Sequence, residues 1–221
     1  MKSCPLLKST FLFFLLCAFI SEAYSQIRAV EITHYLFPEF TKGVILMKSK
    51  IKNEAMLNYN SLTEEMIFEN KGIKLALDHL EQVDTIYITG RKFFILNNKF
   101  VELIYSSKFD LYAEHRCTIK DPGKPAAYGG TSQTSATNSY ATYFSGGRVY
   151  DLKLPEGFEP LPYIQYWLKK DGKLTKFINI RQLAKLFNDK EDLYKQYNKK
   201  HVVKYDDQTS LVELLRYLAE N

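Results

Sequence analysis

Cysteine is scarce in this chain and badly placed for crosslinking. Of three cysteines in 221 residues, Cys4 and Cys17 fall in the first twenty-five positions and only Cys117 lies beyond them. A lone thiol closes no internal disulfide, so the fold has to be held by its core. The spacings that carry common chemistries are missing as well. There is no Cys-x-x-Cys and no helical His-x-x-x-His among His34, His79, His115 and His201. His115 and Cys117 alternate on an expected strand and share a face, but two ligands fall short of the four a structural zinc needs. No metal and no cofactor are expected. Gly-x-Ser-x-Gly and Gly-x-Gly-x-x-Gly do not occur, and Gly123-Lys124 runs into Pro125, which removes a backbone donor from any phosphate cradle. The adjacent acids Glu64-Glu65 and Asp206-Asp207 point to opposite faces if extended, so they read as solvated charge, with Asp207 a candidate helix cap. No catalytic residue is assigned.

One-sided charge is also lacking. Thirty Lys and Arg against twenty-five Asp and Glu leave a formal net charge of +5, spread along the chain. Nucleic acid demands a concentrated basic stripe and is excluded as a partner on that ground. Long apolar runs are confined to the start. Lys2 and Lys8 precede the unbroken run 11–20, and Ala23-Tyr24-Ser25 sets small residues at −3 and −1 of a cut before Gln26. This is the layout of a secretory signal peptide, too short for the ~20 residues of a membrane-spanning helix. The expectation is residues 1–25 as a cleaved signal peptide, a mature chain with no transmembrane segment, and an exported protein, periplasmic or associated with the outer membrane.

What the chain has in plenty is strand. Segments 44–48, 53–59, 65–69, 74–77, 85–89, 92–96, 99–105 and 111–119 are short and alternate near every second position. Lys71-Gly72, Thr89-Gly90 and Asn97-Asn98 separate them as turns. Ile86 and Ile88 share one face while Thr85, Tyr87 and Thr89 share the other. Such spacing predicts an antiparallel β-meander, either a small barrel or a curled sheet, over residues 26–120. Residues 121–147, rich in Gly, Ser and Thr, are expected as a mobile loop. Strands resume at 149–154 and 163–169, and Asp171-Gly172 turns a hairpin into 173–178. From Asn179, a plausible cap, the period becomes helical: Ile180, Leu183, Leu186 and Phe187, then 190–199, then the stripe Leu211, Leu214, Leu215 and Leu218. The predicted class is α+β, with residues 148–221 forming a hairpin and C-terminal helices packed on the same domain.

The runs Leu62-Thr63-Glu64-Glu65-Met66, Leu75-Ala76-Leu77-Asp78, Glu81-Gln82-Val83-Asp84-Thr85-Ile86-Tyr87-Ile88, Gly90-Arg91-Lys92-Phe93 and Gly123-Lys124-Pro125-Ala126-Ala127-Tyr128-Gly129-Gly130-Thr131-Ser132-Gln133-Thr134-Ser135 carry a likeness. Together they resemble a family of exported envelope proteins of diderm bacteria with no assigned activity. The resemblance implies envelope localisation and brings no catalytic residue with it.

Sixteen tyrosines, fifteen phenylalanines and one tryptophan remain as the notable surface chemistry. A tyrosine offers a large flat area at low entropic cost, with a hydroxyl at its end. Tyr128, Tyr140 and Tyr143, in or beside the loop, and Tyr166 and Trp167, on the later strand, are therefore the candidate binding residues. The expected function is an exported, non-enzymatic binding or scaffolding protein of the cell envelope, with an envelope protein or a glycan as partner. The alternative is an envelope hydrolase acting on cell-wall or glycan material at a site assembled from distant residues. A strand barrel holding a small ligand is a third option.

Overall fold

The computed structural model describes residues 30–31, 35–120, 124–125, 131–132, 153–154 and 159–221. The expected signal peptide, most of the expected loop and residues 149–152 of the strand expected at 149–154 lie outside them. Fourteen strands are described: β1 (Val30–Glu31), β2 (Thr41–Met47), β3 (Lys52–Asn60), β4 (Glu65–Asn70), β5 (Ile73–Ala76), β6 (Val83–Ile88), β7 (Arg91–Leu96), β8 (Lys99–Ser106), β9 (Asp110–Lys120), β10 (Lys124–Pro125), β11 (Thr131–Ser132), β12 (Lys153–Leu154), β13 (Glu159–Lys170) and β14 (Lys173–Phe177). Helices α1 (Ile180–Lys185), α2 (Glu191–Asn198) and α3 (Gln208–Glu220) follow. Ten strands form one antiparallel sheet in the order β14-β13-β9-β8-β7-β6-β2-β3-β4-β5, while β1–β12 and β10–β11 pair separately. The class is α+β with an antiparallel meander, as the alternation predicted.

Four two-residue turns set the register. Lys71-Gly72, Thr89-Gly90, Asn97-Asn98 and Asp171-Gly172 have positive φ at both positions, between 48° and 79°. That is the geometry of the hairpin turn whose twist matches its flanking strands, and glycine or asparagine supplies it with least strain. β13 starts earlier than its aromatic run suggested, because Pro160 and Pro162 are part of it. β14 pairs only with residues 166–170 of β13, so the proline end has a ladder partner on one side alone, in β9. A missing N–H is tolerated at such an edge.

The sheet rolls. Four strands stand between β4 and β8 in sheet order, yet Glu64, at the entry to β4, meets Lys99 of β8 at 2.9 Å. Tyr59 of β3 lies edge-on to Phe100 of β8 at 6.1 Å. The hollow of the roll is filled by Phe37, Ile45, Leu57, Tyr59, Met66, Ile86, Ile88, Phe93 and Phe100. Asn58, fully buried, fastens the preceding segment to β3: its side-chain amide donates to the Phe37 carbonyl at 2.9 Å and accepts from the Phe37 N–H at 3.1 Å.

The other half of the same sheet face is covered by the helices. Leu183, Phe187, Tyr194, Tyr197, Leu211, Leu214, Leu215 and Leu218 pack onto Leu111, Ala113, Tyr166, Leu168 and Phe177. Each leucine buried this way contributes ~1.5–3 kcal/mol. Asn179 caps α1 through the Gln182 N–H at 2.9 Å, and Asp207 caps α3 through the N–H groups of Thr209 and Ser210 at 3.0 and 3.2 Å. No helix among the described residues is long and apolar enough to cross a membrane.

Candidate functional site

Register places two rows of side chains across the sheet, one on each face. On the covered face, Ile45, Ile86, Phe93, Glu102, Ala113, Tyr166 and Phe177 succeed one another over seven strands. Glu102 stands between Phe93, which belongs to the core of the roll, and Ala113, which belongs to the core under the helices. It is 5 % exposed. Its carboxylate is bound by the Arg91 guanidinium through both oxygens, with Arg91 Nε 2.5 Å from Oε1. His115 Nε2 lies 2.7 Å from Oε2 and 3.1 Å from Arg91 Nη2. One ring nitrogen cannot serve both, and the shorter contact, to an anion, assigns Nε2–H as donor to Glu102. Burial raises the Glu102 carboxyl, but the hydrogen bonds and charges of Arg91 and His115 outweigh it and hold it below the ordinary carboxylate value. Arg91 also sits over the rings of Phe37 and Phe93, at 5.0 and 5.6 Å.

On the opposite face, left uncovered by the helices among the described residues, the corresponding row is Tyr87, Lys92, Leu103, Tyr112, Trp167 and Lys176, of which Tyr112 is itself buried. Trp167 is half-buried and fixed from beneath. Its Nε1–H donates to Glu114 at 3.0 Å, and the other oxygen of Glu114 accepts from Lys99 at 2.9 Å. Lys99 bridges on to Glu64, Glu64 accepts from Arg116 Nε at 2.6 Å, and Arg116 returns to Glu114 at 3.6 Å. The four charges close a ring of alternating sign. Burial raises the Glu114 carboxyl, and the bonds from Trp167 and Lys99 more than reverse this, leaving it below its usual range. Burial works against the Lys99 ammonium, yet Glu64 and Glu114 raise its pKa overall. Glu64 itself holds φ +60°, a strained backbone for a side chain, and its two cationic partners pin the β3–β4 turn.

Cys117 follows His115 on the same face of β9, but its Sγ lies 3.2 Å from the Thr118 carbonyl oxygen. Burial pushes its pKa up to about 11, which keeps it a thiol at neutral pH. No group of His, Cys, Asp and Glu that could hold a metal occurs among the described residues. A cleft of 580 Å³ opens between α1 and α2, lined by Lys185, Asn188, Glu191, Tyr194, Lys195 and Asn198, and one of 390 Å³ lies beside the β13–β14 turn. Neither includes His115, Cys117 or Glu102.

Of the residues singled out from sequence, Tyr128, Tyr140 and Tyr143 lie outside the described residues. Tyr166 is 1 % exposed, stacked on Phe177 at 5.8 Å, and is part of the core. Trp167, next along the strand, points the other way, onto the uncovered face. Sequence reasoning did not pick out Lys92, Lys99, Glu102, Glu114 or Lys176, because their grouping depends on which strands are neighbours. The alternation of 85–89 did separate Tyr87 from the buried Ile86 and Ile88.

Searches against protein-family models, curated proteins and solved structures each return no match.

Proposed function

We propose that the protein is an exported, non-enzymatic binding protein of the bacterial cell envelope and that the uncovered sheet face around Trp167 is its contact surface. The observation that carries this reading is the fixing of Trp167: a half-buried indole held by a fully buried carboxylate, which is itself neutralised by Lys99. A ring immobilised before contact loses little entropy on binding. Tyr87, Lys92 and Lys176 lie in the same register row on the same face, with the buried Tyr112 beside Trp167. The groups a hydrolase would recruit have other commitments. His115 and Glu102 are bound to each other and to Arg91, and Cys117 is a thiol.

The address rests on the N-terminal pattern and is tested separately, by the mass of the mature protein and the fraction in which it is found. A mature chain beginning at Gln26 in the periplasmic or outer-membrane fraction supports it; a chain beginning at Met1 in the cytosol contradicts it. For the surface, wild type and Trp167→Ala are compared for what they retain from envelope extracts, with melting temperature as the folding control. The expected result is loss of the retained component from a folded variant. Equal retention by both overturns the assignment of this face.

A further inference from the structure

Charge is unevenly balanced along the row that crosses the uncovered face. Lys92 lies over the Tyr87 ring at 6.0 Å and Lys176 over the Trp167 ring at 5.6 Å. Neither has a carboxylate at ion-pair distance among the described residues. The acids nearby are already engaged. Glu54 meets Lys42 at 2.7 Å, Asp110 accepts from Ser106 at 2.6 Å and lies 4.0 Å from Lys169, and Glu114 is spent on Lys99 and Trp167. Each end of the row therefore carries a ring beside an unneutralised ammonium group, Tyr87 with Lys92 and Trp167 with Lys176, with Leu103 and Tyr112 between them. Lys92 and Lys176 are four strands apart, about 19 Å at ~4.8 Å per strand.

We infer that the ligand of this face is an anionic glycan, laid across the strands with sugar rings against Trp167 and Tyr87 and acidic groups against Lys92 and Lys176. This rests on the binding reading above and names its ligand class. A sugar ring presents an apolar C–H face to an aromatic platform and a rim of hydroxyls to polar neighbours, here Gln165 and Arg116 in the adjoining positions of β13 and β9. An extended peptide instead exploits the backbone ladder of a sheet edge. A lipid surface favours apolar side chains that enter the acyl boundary, and the rings here lie in a sheet face, with Trp167 half-buried. Two lysines are too few for the phosphate neutralisation of a nucleic acid.

The test is calorimetric titration of the full chain with a homogeneous uronic-acid oligosaccharide, with the same oligosaccharide after reduction of its carboxyls, and with phosphatidylglycerol vesicles. The expected result is saturable binding of the acidic oligosaccharide, weakened about tenfold or more by Lys92→Gln with Lys176→Gln and by carboxyl reduction. Trp167→Ala abolishes it and Trp167→Phe, which keeps a flat ring, retains part of it. Absence of oligosaccharide binding, equal affinity for the reduced form, or binding to vesicles alone overturns the inference. The two readings fail differently. An envelope component lost by Trp167→Ala but kept by the double lysine variant contradicts the anionic ligand and leaves the face standing; a component kept by both removes the face as well.

Discussion

Glu114 and His115 are neighbours on β9 and serve opposite faces: Glu114 anchors Trp167 beneath the uncovered face, while His115 closes the Arg91–Glu102 pair between the two cores. Removing one partner of such a buried group leaves the other charge uncompensated, which costs ~3–5 kcal/mol. Glu102→Gln should therefore lower unfolding stability in urea by about 3 kcal/mol, with the partly exposed Arg91 left without its carboxylate and His115 without its acceptor. A change below 1 kcal/mol would mean that the triad is incidental to joining the cores. These groupings were beyond the reach of sequence. Arg91, Glu102 and His115 come from three strands, and each looks like an ordinary polar residue until the register is known. His115 and Cys117 were correctly placed on one face, but the partner of that histidine lies thirteen positions earlier.

Hairpins and caps, by contrast, are local and were legible. Asp171-Gly172, Asn97-Asn98, Asn179 and Asp207 announce themselves through backbone preferences that need no tertiary partner. Asp207→Ala should cost ~1 kcal/mol by removing the acceptor for two N–H groups at the start of α3. Equilibrium unfolding of the variant checks this, and an unchanged midpoint would count against the cap. Gly43 is a different kind of element-level constraint, invisible in the sequence. A Cβ there would stand 2.7 Å from the Tyr87 carbonyl oxygen and 2.8 Å from Leu57 Cδ1, where β3 and β6 flank β2. Gly43→Ala should destabilise by ~1–3 kcal/mol through forced displacement of the Tyr87 backbone. The early start of β13 escaped notice because prolines normally terminate strands, and only the one-sided edge made them acceptable.

Over the whole molecule, two cores share one sheet, with charge at their junction, and this sets the response to pH. Glu102 and Glu114 both have folded-state pKa values below those of an unfolded glutamate, ~4.3. Below that value the unfolded chain binds protons that the folded one refuses, so their stabilisation is complete above about pH 4.3 and is lost as pH falls through the lower folded values. Lys99 works at the other end. Its raised pKa gives a contribution present below ~10.4 and lost as pH rises through the folded value. Urea midpoints measured from neutral pH downward should fall steeply below pH ~4.3, and Glu102→Gln with Glu114→Gln should flatten that slope. An unchanged slope in the double variant would place the acid sensitivity elsewhere. At this scale the fold class was readable from alternation and turn spacing, whereas the roll that brings Glu64 to Lys99 was not. Which strands adjoin across long connections is decided by packing, not by local pattern.

The chain contains a single tryptophan, so its intrinsic indole signal reports on Trp167 alone. Titrating envelope polysaccharide into the full chain and following that emission tests the contact surface most directly. A saturable change in indole emission, absent in Lys92→Gln with Lys176→Gln at the same concentrations, is the predicted result. Binding demonstrated by calorimetry with the indole emission unaltered would show that the ligand sits elsewhere.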